Sequence, residues 1–194
     1  MEKKQIKINF HVHSTGSDGK MAPEDVVKEA IAAGIGYMCF TDHYRTPEVF
    51  NEDYGFFSNE YAKDVKKLQK EYKDKIDILL GVEFDWLEGY GDWIKKEIEK
   101  HNFDYVMGSV HTLFKNSESF EVSSDTGEEG KKKWLETAEK FGGAENFVKE
   151  YYRLIMLLIK SGLFDSVGHL DIIKMYNRGQ DLFKEDSAWY KKGL

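Results

Sequence analysis

Residues 6–13, Ile-Lys-Ile-Asn-Phe-His-Val-His, alternate apolar and polar side chains and read as a β-strand. Ile6, Ile8, Phe10 and Val12 fall on one face, and Lys7, Asn9, His11 and His13 on the other, so both histidines point the same way. After a turn, Ser14-Thr15-Gly16-Ser17-Asp18-Gly19, a helix is expected over 23–33. Pro23 sits at its first position, Val26, Val27, Ala30 and Ile31 share one stripe, and Gly34 is the stop. The next strand, 36–41, leads into Thr41-Asp42-His43. Strand, helix, strand is the grammar of a parallel sheet, and it recurs. Helices are expected at 58–73, 91–101 and 144–161, and strands at 76–84, 104–110 and 164–169.

Five of the six histidines end one of these strand-like runs: His11, His13, His43, His111 and His169. The remaining strand, the third in chain order, contains Leu79-Leu80-Gly81-Val82-Glu83 and ends on a carboxylate that would be costly to bury unless a cation or donor meets it. Imidazole with carboxylate is a ligand set for zinc, manganese or iron. Catalytic sites of parallel barrels gather at the carboxyl ends of the strands, and ligands from five strands converge only if the sheet curls. The pattern therefore points to a metal-dependent hydrolase on a barrel-like α/β fold. Asp18 reads as a further ligand or as a turn-former. Asp42 and Asp171 suit positions that orient an imidazole, or cap loops. His101, at a helix end beside Lys100, reads as a partner of the helix dipole.

The composition narrows the class. The chain has 194 residues, 41% hydrophobic and 14% aromatic, enough to bury one core, and is read as a single domain over 1–194. A net charge of -7 and a pI near 5.5 argue against nucleic acid as a partner. One cysteine, Cys39, allows no intrachain disulfide and fits a reducing compartment, read here as the cytoplasm. No apolar run approaches the roughly 18 residues of a membrane span. The polar stretch 115–143, rich in glycine, follows His111 and is expected to be a lid or insertion over the active face, with a short helix in its middle around Trp134 and Leu135. A last helix is expected over 179–191. A barrel typically needs about 250 residues, so the last strands are expected to be missing, or supplied by a second copy or another partner.

The successive motifs His11-Val12-His13 with Ser17-Asp18-Gly19, Thr41-Asp42-His43, Gly81-Val82-Glu83-Phe84, Gly108-Ser109-Val110-His111 and Val167-Gly168-His169-Leu170-Asp171 resemble those of the PHP superfamily, the polymerase and histidinol phosphatase fold. The segments 81–85 and 168–174 are most similar to its histidinol-phosphatase branch. The resemblance implies a distorted, TIM-like (β/α)7 barrel with two or three divalent ions that hydrolyses phosphate monoesters. By position, it places His11, His13 and Glu83 on a first metal, Glu83, His111 and His169 on a second, and Asp18 with His43 on a third. A later Asp-x-His motif of the family has no counterpart, since His169 is the last histidine.

The expected activity is hydrolysis of L-histidinol phosphate in histidine biosynthesis. The alternatives are a PHP phosphoesterase acting on nucleotides or phosphotyrosine, and a metal-poor module without catalysis. Arg45 and Arg178 are either substrate-phosphate ligands or surface salt-bridge partners. No general acid stands out in the sequence.

Overall fold

The alternating run at the start of the chain forms β1 (Lys7–Val12) in the computed structural model of the protein, which describes residues 6–47, 57–123 and 127–193. The chain divides into two units, the first comprising residues up to Phe84 with Trp93–Met107, the second Asp85–Asp92 with Gly108 onward. Among the described residues no helix is long and apolar enough to cross a membrane.

In the first unit, α1 (Pro23–Ala32) buries Val26, Val27 and Ala30 and returns the chain to β2 (Ile35–Phe40), which pairs parallel to β1. The two-residue strand β3 (His43–Tyr44) follows, then α2 (Asn59–Tyr72), whose first turn is capped by Ser58 accepting the Tyr61 N–H at 3.0 Å. Strand β4 (Asp77–Asp85) pairs parallel with β2 and then with β3, which sets His43 beside Glu83 in register. Helix α3 (Gly91–His101) leads to β5 (Tyr105–Ser109), and the strand order is β1-β2-β4-β5. β4 is buried on both faces, as a central parallel strand should be, with Ile78, Leu80, Val82 and Phe84 on one and Gly81, Glu83 and Asp85 on the other. Gly81 allows the close approach of its neighbours. A Cβ there would lie 2.4 Å from Cys39 Sγ and 2.8 and 2.9 Å from the carbonyl oxygens of Tyr105 and Phe40.

The first strand departs from expectation in one respect. Its apolar face is only partly covered: Ile6 and Ile8 are 63% and 65% exposed where β1 stands at the end of the strand order, whereas Phe10 is half-buried with its ring 5.4 Å from that of Tyr105.

In the second unit, β6 (Thr112–Lys115) and β7 (Glu118–Glu121) form an antiparallel hairpin, and α4 (Gly127–Lys140) follows. The stretch 115–143 thus carries more regular structure than its polarity suggests. Trp134 of α4 is buried against Phe147 of α5 (Ala144–Ser161), and its indole N–H donates to the Ile173 carbonyl at 3.1 Å. The last strand, β8, is only Ser166–Val167, shorter than the expected 164–169. Gly168 N–H then donates to the Gly108 carbonyl at 2.9 Å. The helix expected over 179–191 is largely absent. Asn177, buried, accepts the N–H groups of Leu182 and Phe183 at 3.1 Å each and donates to the Phe183 carbonyl, holding a loop where a helix would compete. Only α6 (Ala188–Gly193) remains helical.

Gly81→Ala is expected to lower the free energy of unfolding by about 1–3 kcal/mol, since neither backbone carbonyl can yield without disturbing β2 or β5. Urea unfolding of the variant beside the wild type measures this, and an unchanged midpoint would refute the close packing.

Candidate metal centre

Glu83 has no solvent exposure, and it sits on β4 between Val82 and Phe84, both in the core. Three imidazoles meet one of its oxygens: Oε2 lies 3.2 Å from His11 Nε2, 3.1 Å from His13 Nε2 and 3.3 Å from His43 Nδ1. The backbone makes this convergence. Thr41 N–H donates to the Val12 carbonyl at 2.8 Å, Val12 N–H to Thr41 Oγ1 at 3.0 Å, and Glu83 N–H to the Asp42 carbonyl at 3.2 Å. The ends of β1, β2 and β4 are thereby laid side by side. The His-x-His spacing puts both rings of β1 on the same face, as the strand period requires.

The loop after β1 brings a second carboxylate. Asp18 Oδ1 is 2.7 Å from His13 Nδ1, and Oδ2 is 3.6 Å from His43 Nε2. His13 and His43 therefore each span the gap between buried Glu83 and Asp18, which is 42% exposed at the rim. Burial works against charge on His13, but Asp18 and Glu83 outweigh it and push its imidazole up to about 10. The hydrogen bonds from His13 and His43 in turn hold Asp18 far below the usual carboxylate range. The centre favours positive charge, whether carried as a proton on an imidazole or as a cation among the side chains.

The donor set fits a divalent ion. Ligand atoms about 2.1 Å from a tetrahedral ion stand roughly 3.4 Å apart. His11 Nε2, His13 Nε2 and Glu83 Oε2 are 3.1, 3.1 and 3.2 Å from one another. Donor atoms of His13, Asp18 and His43 form a second group, also within 4.8 Å of one another.

The second unit holds its own pair. His111 Nε2 and His169 Nε2 are 3.0 Å apart. Asp85, fully buried and missed in the sequence, anchors the first of them: its Oδ1 accepts the His111 backbone N–H at 2.9 Å and lies 3.4 Å from Nδ1, while Oδ2 accepts the Thr112 hydroxyl at 3.1 Å. Tyr151 OH donates to the His169 carbonyl at 3.2 Å.

The remaining expected residues are placed differently. Asp42 takes its side-chain hydrogen bonds from Ser14, Ser17 and Tyr61 rather than from an imidazole. Asp171, whose side chain is 71% exposed, lies 3.9 Å from Lys174 Nζ and orients no imidazole among the described residues. Arg45 is half-buried directly after β3. Arg178 is exposed and lines a cleft of about 510 Å³ with Lys131, Met175 and Tyr176. His101 faces Glu97 at 3.2 Å, a carboxylate that also accepts the Tyr44 hydroxyl at 2.6 Å, so it braces the residue after His43 rather than only a helix end.

Comparison with known proteins places the chain in a family and a fold. The PHP domain family matches residues 9–193. The probable histidinol-phosphatase of Deinococcus radiodurans is 29% identical over 171 residues, covering 84% of this chain and 58% of the relative. The histidinol phosphate phosphatase of Lactococcus lactis, solved in complex with zinc, L-histidinol and phosphate, superposes with a TM-score of 0.69 at 29% identity, over 86% of this chain and 59% of that one. A solved structure from Listeria monocytogenes shares the fold, with a TM-score of 0.79 at 19% identity over 96% of this chain and 75% of that one. The fold is thus the α/β, TIM-like type that the strand grammar indicates. This chain spans a little under three fifths of the length of the first two proteins, 58% and 59%.

Zinc is expected to stabilise the protein, by about 2.7 kcal/mol at a free concentration near 100 times the Kd. Thermal unfolding with and without zinc measures it. Glu83→Gln should lose most of that gain, and an equal zinc response in the variant would remove Glu83 from the centre.

Proposed function

We propose, from the premise that this chain belongs to the PHP domain family, that it serves as a metal-dependent phosphatase converting L-histidinol phosphate to L-histidinol and phosphate, a cytoplasmic step of histidine biosynthesis. The observation that carries the reading is the meeting of three imidazoles on one oxygen of a carboxylate without solvent exposure. Its support in substrate terms is the likeness to the L. lactis enzyme, whose crystal structure contains zinc, L-histidinol and phosphate.

His11, His13 and Glu83 would hold one ion, and His13 or His43 with Asp18 another; His111 and His169 are donors to a further one. Two or three ions of zinc, manganese or iron at such sites supply Lewis acidity toward phosphoryl oxygens and bring the pKa of water toward about 7. The protein's own groups do the rest. Glu83, a carboxylate without solvent exposure and with three imidazoles on one oxygen, fixes where cations would gather. Asp18, at the exposed rim, is the carboxylate within reach of solvent, and its bond to His13 Nδ1 sets which nitrogen of that ring faces Glu83. Asp85 holds the His111 backbone through its N–H, so the ring keeps one orientation while substrate enters and product leaves. Arg45, half-buried two residues after His43, would be a guanidinium for the substrate phosphate, for which a planar two-pronged donor is suited.

Phosphate release from L-histidinol phosphate, with added zinc or manganese and with EDTA, tests the proposal beside a panel of nucleotides and phosphotyrosine. We expect release that EDTA abolishes and a kcat/KM at least about tenfold above every other ester, a margin of 1.4 kcal/mol in transition-state binding. Faster turnover of a nucleotide or phosphotyrosine would reassign the substrate. Absence of release from all of them by zinc-loaded protein would overturn the phosphatase reading.

A further inference from the structure

Asp42 lies between Thr41, which closes the β1–β2 ladder, and His43. It is almost fully buried, and its carboxylate accepts four hydrogen bonds. Oδ1 takes the Ser14 N–H at 2.8 Å and the Ser17 hydroxyl at 2.7 Å; Oδ2 takes the Ser14 hydroxyl at 2.8 Å and the phenol of Tyr61. Its own carbonyl accepts the Glu83 N–H. One residue therefore touches three segments of the first unit that bring a donor: the Ser14–Gly19 loop after His13 that carries Asp18, the strand of Glu83, and His43 by the chain itself.

The loop is built to be held this way. Ser14 is buried, and its carbonyl accepts the N–H groups of Ser17 and Gly19 at 3.1 and 2.9 Å. The ring of Tyr61 lies so close over Gly16 that a Cβ there would meet it at 2.4 Å. Ser17 Oγ, bonded to Asp42, is also 3.3 Å from Asp18 Oδ1. Tyr61 reaches this spot because it is the third residue of α2, tied by its N–H to the Ser58 cap. No imidazole contacts the Asp42 carboxylate among the described residues, so its influence on the donors passes through the loop backbone and Ser17.

We infer that Asp42, locked by the Tyr61 phenol, is a positioning residue that sets Asp18 and His13 against Glu83 and His43, and that the hydroxyl of Tyr61 thereby governs cation affinity without touching the cation. The inference rests on the metal site proposed above. Groups that orient ligands in this way typically change affinity by roughly 10–100-fold when removed.

The test is zinc affinity of the full chain, by competition with a chromophoric chelator, for the wild type, Tyr61→Phe, Ser17→Ala and, as a control on the same helix, Tyr72→Phe. Tyr72 donates to exposed Glu24 at 3.1 Å, away from the centre. Tyr61→Phe keeps the ring over Gly16 and removes only the donor. The expected result is a zinc Kd raised about tenfold or more for Tyr61→Phe and severalfold for Ser17→Ala, with the Kd of Tyr72→Phe unchanged. Should Tyr61→Phe fail to fold, Ser17→Ala decides by the same criterion. Zinc binding by the wild type with a Kd unmoved in both variants overturns the inference and leaves the metal site standing. A wild type that takes up no zinc overturns the metal reading, and the inference with it.

Discussion

A carboxylate with no access to solvent stays ionised inside a protein only if something meets it, and Glu83 is that carboxylate. Removing such a charge from water costs several kcal/mol even after relaxation, so a partner of opposite or convertible charge must stand beside it. Imidazoles do, three of them on one oxygen. The strand around it is built for the purpose. Gly81 lets β2 and β5 close tightly on β4, and the β3–β4 register sets His43 directly beside Glu83. Burial of the charge and convergence of the histidines are one arrangement, since either alone would be unfavourable.

Two other buried carboxylates solve the same problem by different means. Asp42 accepts a backbone N–H and the hydroxyl of the same residue, Ser14, and Asp85 accepts the His111 N–H with the hydroxyl of Thr112. Neutral donors of this kind stabilise a buried anion while leaving no net positive charge beside it. Each unit thus contains a carboxylate that holds a ligand-bearing segment in place. Glu83 differs because its partners are themselves metal-ligating nitrogens, which a cation can take over.

Much of this was legible in the sequence, for reasons that can be named. A ligand pair two residues apart on a strand must share a face, and a lone carboxylate in Leu79–Phe84 has no tolerable place in a core without a counterpart. The helices α1, α2, α3 and α5 followed from their apolar stripes within one or two residues. What failed depended on tertiary context. The apolar face of β1 alternated as a core face does, yet sequence cannot tell an end strand from a central one. The helix expected at 179–191 was displaced by the amide of one residue, Asn177, bonding to backbone five and six positions ahead. Asp85 carried a usable signal, being on the same face of the strand as Glu83 two residues on, whereas Tyr61 carried none: on the helix wheel it is one more apolar residue of α2, and only the fold brings it to Asp42.

The short span between His13 and Asp18 explains why a positioning residue is needed at all. Closing so small a loop costs little chain entropy, so the sequence obtains a local chelate from one strand end cheaply. A loop that closes easily also samples several closures, and Ser14–Gly19 contains two glycines and two serines with few preferences of their own. Coordination tolerates little such freedom, because donors must stand a fixed distance apart before the ion arrives or part of the binding energy goes into ordering them. A rigid group bonded to the loop at several points removes that cost in advance. Asp42 meets the requirement because it is buried, multiply bonded and covalently next to His43, so the loop is referenced to the same backbone that sets the imidazole.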